Sequence, residues 1–176
     1  MNSHSPTLIT KRLILRNLML EDAPALAHIL GHPEVMRFSV PGVMSEADTL
    51  AFIERCQVSY RELGFGPWAV IERSSLTLVG FCGLNAERVD GADEIELGYR
   101  LAYEWWGKGL ATEAAQCAVS YSFAVLKLKS LIAIVEPANV ASVKVIQKVG
   151  FDGFIHSQYH RRGVRIYRMS GQDRVR

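Results

Sequence analysis

Apolar and polar residues alternate near the start of the chain, and helical spacing follows. The alternation covers residues 7–16 and predicts a first strand. After Glu21 and a nearby proline, apolar residues recur at helical spacing, which predicts a first helix. Ser45, with an aspartate three residues later, forms a capping-box pattern, and a second predicted helix runs from it to about Leu63.

Three predicted strands follow the glycine-rich breaker at residues 64–67. Residues 68–72 and 76–84 are joined by a short polar link, which favours an antiparallel hairpin. Residues 94–101 alternate again and predict the third strand. The polar residues 87–93 are predicted as the turn that precedes it.

The rest of the chain predicts a helix, a strand, a helix and a final hairpin. Residues 110–126 place small and apolar residues on one helical face, and residues 131–135 are apolar throughout, as in a strand buried on both faces. Residues 140–149 form a helix with capping residues at both ends, and residues 151–159 and 164–169 read as a hairpin. This order predicts a mixed α/β domain with a mostly antiparallel sheet and one strand–helix–strand crossover.

Length and composition fit one domain over residues 1–176, with a core at about residues 7–170. The net charge is +2, and no basic run predicts binding to nucleic acid. The chain has neither an apolar run of membrane-spanning length nor a signal-peptide pattern, so we expect no membrane contact and a cytoplasmic location. The three widely spaced cysteines fit reduced thiols and form no metal motif.

A glycine loop between a predicted strand and the helix at residues 110–126 carries the most specific chemistry. Gly107 and Gly109 let the backbone turn tightly and expose successive N–H groups next to the helix start. Such a site suits a pyrophosphate. The plain alternative is a tight turn that only needs glycine.

Three kinds of phosphate site compete for this loop. A nucleotide P-loop fails, because Lys108 is followed by glycine and position 102 is alanine. A dinucleotide-binding fold would use Glu136 at the end of the next strand, but its third glycine position is Thr112 and about 40 residues remain. The third candidate is coenzyme A.

Residues 106–111 resemble the phosphate-binding motif of the GNAT acetyltransferase superfamily. That motif reads Gln or Arg, two residues, Gly, one residue, then Gly or Ala, and this chain places Trp106, Gly109 and Ala111 at the defined positions. Tryptophan departs from the superfamily pattern but is usual in the RimJ/RimL-like branch, which reads Trp-Gly-Lys-Gly here.

Four further segments resemble that branch in the same order, namely residues 79–83, 96–99, 137–142 and 148–151. The resemblance covers about residues 8–169. It implies the GNAT fold, a mostly antiparallel sheet flanked by helices, in which the parallel fourth and fifth strands splay apart. It also implies an N-acetyltransferase that uses acetyl-CoA as co-substrate.

The resemblance assigns coenzyme A to three places. The splayed end of the fourth strand would bind the pantetheine, the glycine loop would bind the pyrophosphate, and the asparagine helix would approach the sulfur. The residues concerned are Leu97, Gly98, Tyr99, Arg100, Leu101, Trp106, Gly107, Lys108, Gly109, Leu110, Ala111, Thr112, Asn139 and Ser142.

Transfer to an amine needs a base, an oxyanion donor and a partner for the departing thiolate. Glu96 is the predicted base, and Glu94 is its competitor on the same strand face. The backbone N–H near Tyr99 is the predicted oxyanion donor. A helical tyrosine often serves as the acid in this fold, but the matching position is Ile146, so Ser142 is the predicted thiolate partner. No metal and no covalent nucleophile is required.

The acceptor is left open by the sequence. It is a primary amine, either of a small molecule or of a protein N-terminus, and the protein is expected to act as a monomer or a homodimer. The alternative function is a non-catalytic acyl-CoA-binding sensor, which would keep the glycine loop and bind without turnover.

Overall fold

The computed structural model describes residues 6–171, and within them eight strands form one sheet. The ends of the predicted domain, residues 1–5 and 172–176, lie outside the described residues. The strands are β1 (Leu8–Ile9), β2 (Leu13–Asn17), β3 (Pro67–Glu72), β4 (Thr77–Val89), β5 (Ala92–Leu101), β6 (Ser130–Val135), β7 (Ile155–Tyr159) and β8 (Arg162–Ser170).

Five α-helices cover the two faces of the sheet in the described part of the chain. They are α1 (Ala23–Leu30), α2 (Pro33–Met36), α3 (Glu46–Glu62), α4 (Leu110–Ala124) and α5 (Val140–Val149). One core cluster joins α1–α3 to the sheet, and a second joins the opposite face to α4 and α5. None of the helices in residues 6–171 is long and apolar enough to cross a membrane.

The strand order is β1-β2-β3-β4-β5-β6-β8-β7, and β5 with β6 is the parallel pair. All other neighbours pair antiparallel. The predicted fold class is therefore confirmed: a mixed α/β, mostly antiparallel sheet whose two central strands run parallel and part. The fourth and fifth strands of the sequence-based prediction are β5 and β6.

The first predicted strand, residues 7–16, is wrong as a single element. It is a short hairpin in which β1 pairs with β2, and Thr10 N–H donates to Leu13 O at 2.9 Å across the turn. The apolar residues that face the core change parity, from even at the partly buried Leu8 to odd at the buried Leu13 and Leu15. Because a strand keeps one parity on each face, that change marks a reversal or a bulge.

The predicted turn at residues 87–93 is also too long. Strands β4 and β5 pair as far as Val89 and Ala92, and the reversal needs only Asp90 and Gly91, with φ of 49° and 80°. Positive φ at both central residues is the two-residue turn that matches strand twist. The polar residues on either side are exposed strand positions, which composition alone does not distinguish from loop.

Two smaller differences lie in the helices and the last hairpin. Helix α2 was not predicted, because a four-residue helix gives almost no periodic signal. Strand β7 begins at Ile155 and not at residue 151, because Phe151 turns into the core and is fully buried there. The predicted caps of α5 are confirmed: Asn139 accepts from Ser142 N–H, and Gly150 has a φ of 108°.

Candidate active site

The glycine loop presents a row of free backbone donors at the start of α4. Gly107 and Gly109 have φ of 73° and 76°, and Gly109 occupies the position before the first helical residue. Within residues 6–171, no backbone N–H from Gly107 to Thr112 has a hydrogen-bond acceptor. A Cβ at Gly107 would meet nothing within 4 Å. The loop is therefore an open concave site for an anion.

Two side chains of the loop are held by contacts within the protein. Trp106 Nε1 donates to the Leu101 carbonyl at 2.8 Å, which ties the loop to the end of β5. The Lys108 ammonium lies 4.5 Å from the centre of the Trp105 ring, in a cation–π contact. Lys108 forms no ion pair with an acidic side chain in the described residues.

Arg12 braces the loop from the first hairpin, and sequence reasoning missed it. Its Nε donates to Glu113 Oε2 at 2.7 Å, and its Nη1 donates to the Lys108 carbonyl at 2.8 Å. Thr10 Oγ1 donates to the other oxygen of Glu113 at 2.6 Å. Glu113 stands in the first turn of α4, where its charge would repel a phosphate, and Arg12 neutralises it there.

Strands β5 and β6 pair only at Glu96 and Ile132 and then diverge. Ala102 N–H donates to the Val79 carbonyl in β4. Because backbone groups alternate sides along a strand, the N–H and C=O of even-numbered residues of β5 face β4. Those of Tyr99 and Leu101 therefore face the opening. Their carbonyls accept from Arg100 Nη1 and Trp106 Nε1, each at 2.8 Å. The Tyr99 N–H faces the opening with no strand opposite it.

Tyr99 and Ser142 meet across this opening. The Tyr99 hydroxyl and Ser142 Oγ share a hydrogen bond of 2.8 Å, and the same hydroxyl donates to the Ser142 carbonyl at 3.3 Å. Asn139 orients Ser142 by accepting its N–H at 3.2 Å. Burial raises the pKa of the Tyr99 hydroxyl, so it stays protonated. Ile146 is buried in the core and offers no polar group.

Glu96 lies on the opposite face of β5, in a cleft below α3. Burial and the nearby charge of Glu87 raise the pKa of its carboxyl to about 8, although Arg100 and a hydrogen bond with Asn85 act the other way. A carboxyl with such a pKa can exchange a proton near neutral pH. Glu94, the competitor, forms a bidentate ion pair with Arg168 and does not line the cleft.

A pocket of about 390 Å³ opens above Glu96, between α1–α3 and the strands β4 and β5. Its walls are mostly apolar, and the residues that supply them include Leu30, Met36, Val43, Met44, Phe52 and Phe81. Its polar residues include Asp48, Arg55, Asn85, Glu96 and Arg100. Gly98 forms part of the floor, where a Cβ would lie 3.1 Å from the Asn85 amide nitrogen. The volume is that of a small-molecule site.

The family model for the acetyltransferase (GNAT) domain matches residues 12–152. The chain belongs to the GNAT acetyltransferases. It is 33% identical over 150 residues to the uncharacterized N-acetyltransferase p20 of Bacillus licheniformis, and the match covers 82% of each chain. The predicted resemblance is thus confirmed, and this GNAT chain is an N-acetyltransferase.

Solved structures share its fold. A GNAT-family acetyltransferase from Bacillus anthracis superposes with a TM-score of 0.78 at 25% identity, covering 95% of this chain and 99% of that one. RimL, a ribosomal L7/L12 α-N-protein acetyltransferase solved with coenzyme A, superposes with a TM-score of 0.74 at 17% identity, covering 93% and 97%. The likeness to RimL shows the fold alone.

Metal-binding side chains do not cluster in the described part of the chain. No group of three His, Cys, Asp or Glu residues in the described range lies close enough to hold a metal ion. His156 and Tyr159 sit in the last hairpin, where Tyr159 donates to Glu87 at 2.8 Å. That bond ties β7 to Glu87, whose charge also acts on Glu96.

The Arg12 contacts predict a coupling between the first hairpin and the anion site. Arg12→Ala should weaken coenzyme A binding by about tenfold, because it frees Glu113 and loosens the Lys108 carbonyl. Isothermal titration calorimetry measures the affinity. Arg88→Ala, which removes an exposed ion pair with Asp93 elsewhere, is the matched control. Equal affinities for the two variants would contradict a role for Arg12 at the loop.

The raised pKa of Glu96 predicts how stability depends on pH. A carboxyl whose pKa is higher in the folded state stabilises the fold below pH 4.5, and this contribution is lost as pH rises through about 8. Glu96→Gln should therefore match the wild type near pH 4 and melt at a progressively higher temperature between pH 5 and 8.5. Differential scanning calorimetry without ligands measures the difference.

Glu72 offers a control of the opposite sign. Hydrogen bonds from Ser75 and Ser74 lower the pKa of its carboxyl to about 2, so its contribution is present above pH 4.5 and lost in acid. Glu72→Gln should melt at a lower temperature than the wild type at neutral pH. A Glu96→Gln difference that does not vary with pH would mean that Glu96 ionises normally.

Proposed function

We propose that the protein transfers the acetyl group of acetyl-CoA to a primary amine by direct attack. The observation that carries the proposal is the meeting of three features at the β5–β6 opening. A carboxyl with a raised pKa lies in the pocket on one face, a Tyr99–Ser142 pair lies on the other, and the free donors of the glycine loop follow from the end of β5.

The residues present fit coenzyme A. The N–H groups from Gly107 to Thr112 would hold the pyrophosphate, with the partial positive charge of the α4 N-terminus behind them. The backbone of residues 97–101 that faces the opening would pair with the pantetheine amides as a strand would. Asn139 and Ser142 would stand near the sulfur. The bound thioester supplies the activated acetyl group.

Glu96 would accept the proton of the acceptor amine, since only a neutral amine attacks. The Tyr99 N–H faces the opening without a partner and would donate to the oxygen on which charge develops. The Tyr99 hydroxyl, accepting from Ser142 Oγ, would turn its own hydrogen bond from the Ser142 carbonyl to the sulfur, which departs as the thiolate. The amine nitrogen gains the acetyl group, the carbon–sulfur bond breaks, and the proton lost by the amine leaves through Glu96 to solvent.

We place this activity in one domain spanning the chain and in a reducing compartment such as the cytoplasm. Cys56, Cys82 and Cys117 are free thiols, and burial raises the pKa of each, which keeps them unreactive. The decisive experiment mixes acetyl-CoA with a panel of amines and follows the released thiol. A sensor module would bind acetyl-CoA by calorimetry yet release no thiol above its hydrolysis rate.

Glu96→Gln should lower turnover by about 10²-fold or more at neutral pH, because the amine loses its base. The wild-type rate should rise between pH 6.5 and 9 as Glu96 ionises. The deficit of the variant should be largest below the pKa of the amine, where the ammonium form needs a base, and should shrink above it. Glu94→Gln, which removes the partner of Arg168, is the control. A larger loss with Glu94→Gln than with Glu96→Gln would transfer the role of base to Glu94.

Tyr99→Phe should lower turnover by about 10²-fold, and Ser142→Ala by about tenfold, because the first removes the donor to sulfur and the second only its support. Affinity for acetyl-CoA should stay within about threefold of the wild type. Tyr121→Phe changes another buried tyrosine, packed edge-on against Trp68, and should have no effect. Wild-type turnover of Tyr99→Phe across pH 6 to 9 would leave water as the donor.

A further inference from the structure

The pocket above Glu96 contains two guanidinium groups that, within residues 6–171, form no ion pair with its carboxyl groups. Two guanidinium groups, Arg55 and Arg100, line it together with Asp48 and Glu96. The ion pairs and hydrogen bonds that these four groups form or leave unformed determine which charged ligand the pocket can bind. The inference drawn from them rests on the proposed acetyl transfer and names the class of its acceptor.

Arg100 enters the pocket from the floor. It shares its face of β5 with Glu96 and Gly98, and it pairs with Phe81 on β4. Within residues 6–171 its guanidinium has no carboxylate within 4 Å, and its hydrogen bond is the one from Nη1 to the Tyr99 carbonyl at 2.8 Å. Burial lowers the pKa of Arg100, which means that the cation lacks full compensation. The other N–H groups of the guanidinium form no hydrogen bond within the described residues.

Arg55 enters from the opposite wall. Asp48, Ala51, Phe52 and Arg55 recur at helical spacing on α3, and all four line the pocket. The Arg55 side chain is exposed, and no ion pair or hydrogen bond holds it within the described residues. It is free to close over a bound anion.

Neither acidic residue can serve as the partner of both cations. Asp48 is committed to the cap of α3, where it accepts from Ser45 N–H at 3.0 Å and from Ser45 Oγ at 2.6 Å. Glu96 is bonded to Asn85 and faces the β5–β6 opening, where the amine must react. Asp48 acts on Arg55 only through longer-range attraction, so both guanidinium groups keep N–H donors that no carboxylate of the described residues contacts.

We propose that the acceptor is a small α-amino acid with an apolar side chain. Its amine would lie at Glu96, its carboxylate between Arg100 and Arg55, and its side chain against Phe52, Phe81 and the methionines of the outer wall. Gly98 contributes no side chain between Glu96 and Arg100, and all three line the pocket, so amine and carboxylate would lie along the same strand face. Arginine binds a carboxylate through two parallel N–H donors, which makes it selective for this group.

The same charges disfavour other amines. A polyamine would bring a second ammonium group next to Arg100 and Arg55, where like charges repel. A protein N-terminus has an amide in place of the carboxylate, which would leave Arg100 without an anion. The rest of the peptide chain would also have to extend out of the mouth of a pocket of about 390 Å³.

The test compares acids with their amides as acceptors, under saturating acetyl-CoA and with thiol release as the readout. The pairs are leucine with leucinamide, methionine with methioninamide, and phenylalanine with phenylalaninamide, and spermidine and a C-amidated tetrapeptide complete the panel. A neighbouring carboxylate makes the α-amine more basic, so a preference for the acid cannot arise from easier deprotonation. We expect kcat/KM for the acid to exceed that for its amide by about 100-fold.

Variants assign that preference to the two arginines. Arg100→Gln should reduce the acid-to-amide ratio of kcat/KM by about 100-fold, and Arg55→Gln by about tenfold, because the first lies deeper. Arg100→Lys should restore part of the ratio. Arg61→Gln on the same helix α3 lies outside the pocket and should leave the ratio unchanged. If Arg100→Gln fails to fold, the exposed Arg55 variant still decides the question.

The outcomes separate this inference from the proposed function. Faster turnover of the amides, of spermidine or of the peptide would overturn the amino-acid assignment and leave the acetyltransferase intact. An acid preference that survives both glutamine variants would also overturn it. If acetyl-CoA binds but no thiol is released with any of these amines, the proposed transfer itself would be overturned.

Discussion

The parting of β5 from β6 after a single paired position is the constraint on which the rest of the site depends. The backbone N–H and C=O groups of a strand in the middle of a sheet normally form hydrogen bonds with both neighbouring strands. Here the groups of Tyr99 and Leu101 on the β6 side have lost that neighbour, and side chains of Arg100 and Trp106 satisfy the carbonyls. The N–H of Tyr99 is left for a ligand. The opening also joins the two faces of the sheet.

Charge around the glycine loop is balanced by residues from distant parts of the chain. A pyrophosphate needs donors and positive potential, yet α4 begins with Glu113. Arg12 cancels that charge and at the same time holds the Lys108 carbonyl. The acid is useful because it fixes the guanidinium in one place. The first hairpin, which looks peripheral in the sheet, therefore forms part of the anion site.

Local features of the fold could be read from the sequence, and distant pairings could not. The caps of α5 and the loop before α4 depend on residues within a few positions of one another, so their spacing identified them. Arg12 and Glu113 are 101 residues apart, and no local pattern links them. The first hairpin lay between these cases. The change of parity is visible in the sequence, but both strands of the hairpin show the same alternation, so alternation alone does not reveal the turn between them.

The environment of Glu96 also depends on tertiary structure, since alternation puts Glu96, the predicted base, and its competitor Glu94 on the same face of β5. Arg168 neutralises Glu94, whereas Glu96 is partly buried and forms no ion pair within the described residues. A base with a raised pKa is largely protonated at neutral pH, which would be a handicap if its environment were fixed. The acceptor changes that environment, because an ammonium group beside Glu96 favours the ionised carboxyl. The incoming ammonium group thus lowers the pKa of Glu96, the group that must deprotonate it. The proton then moves from the ammonium group to the Glu96 carboxylate beside it.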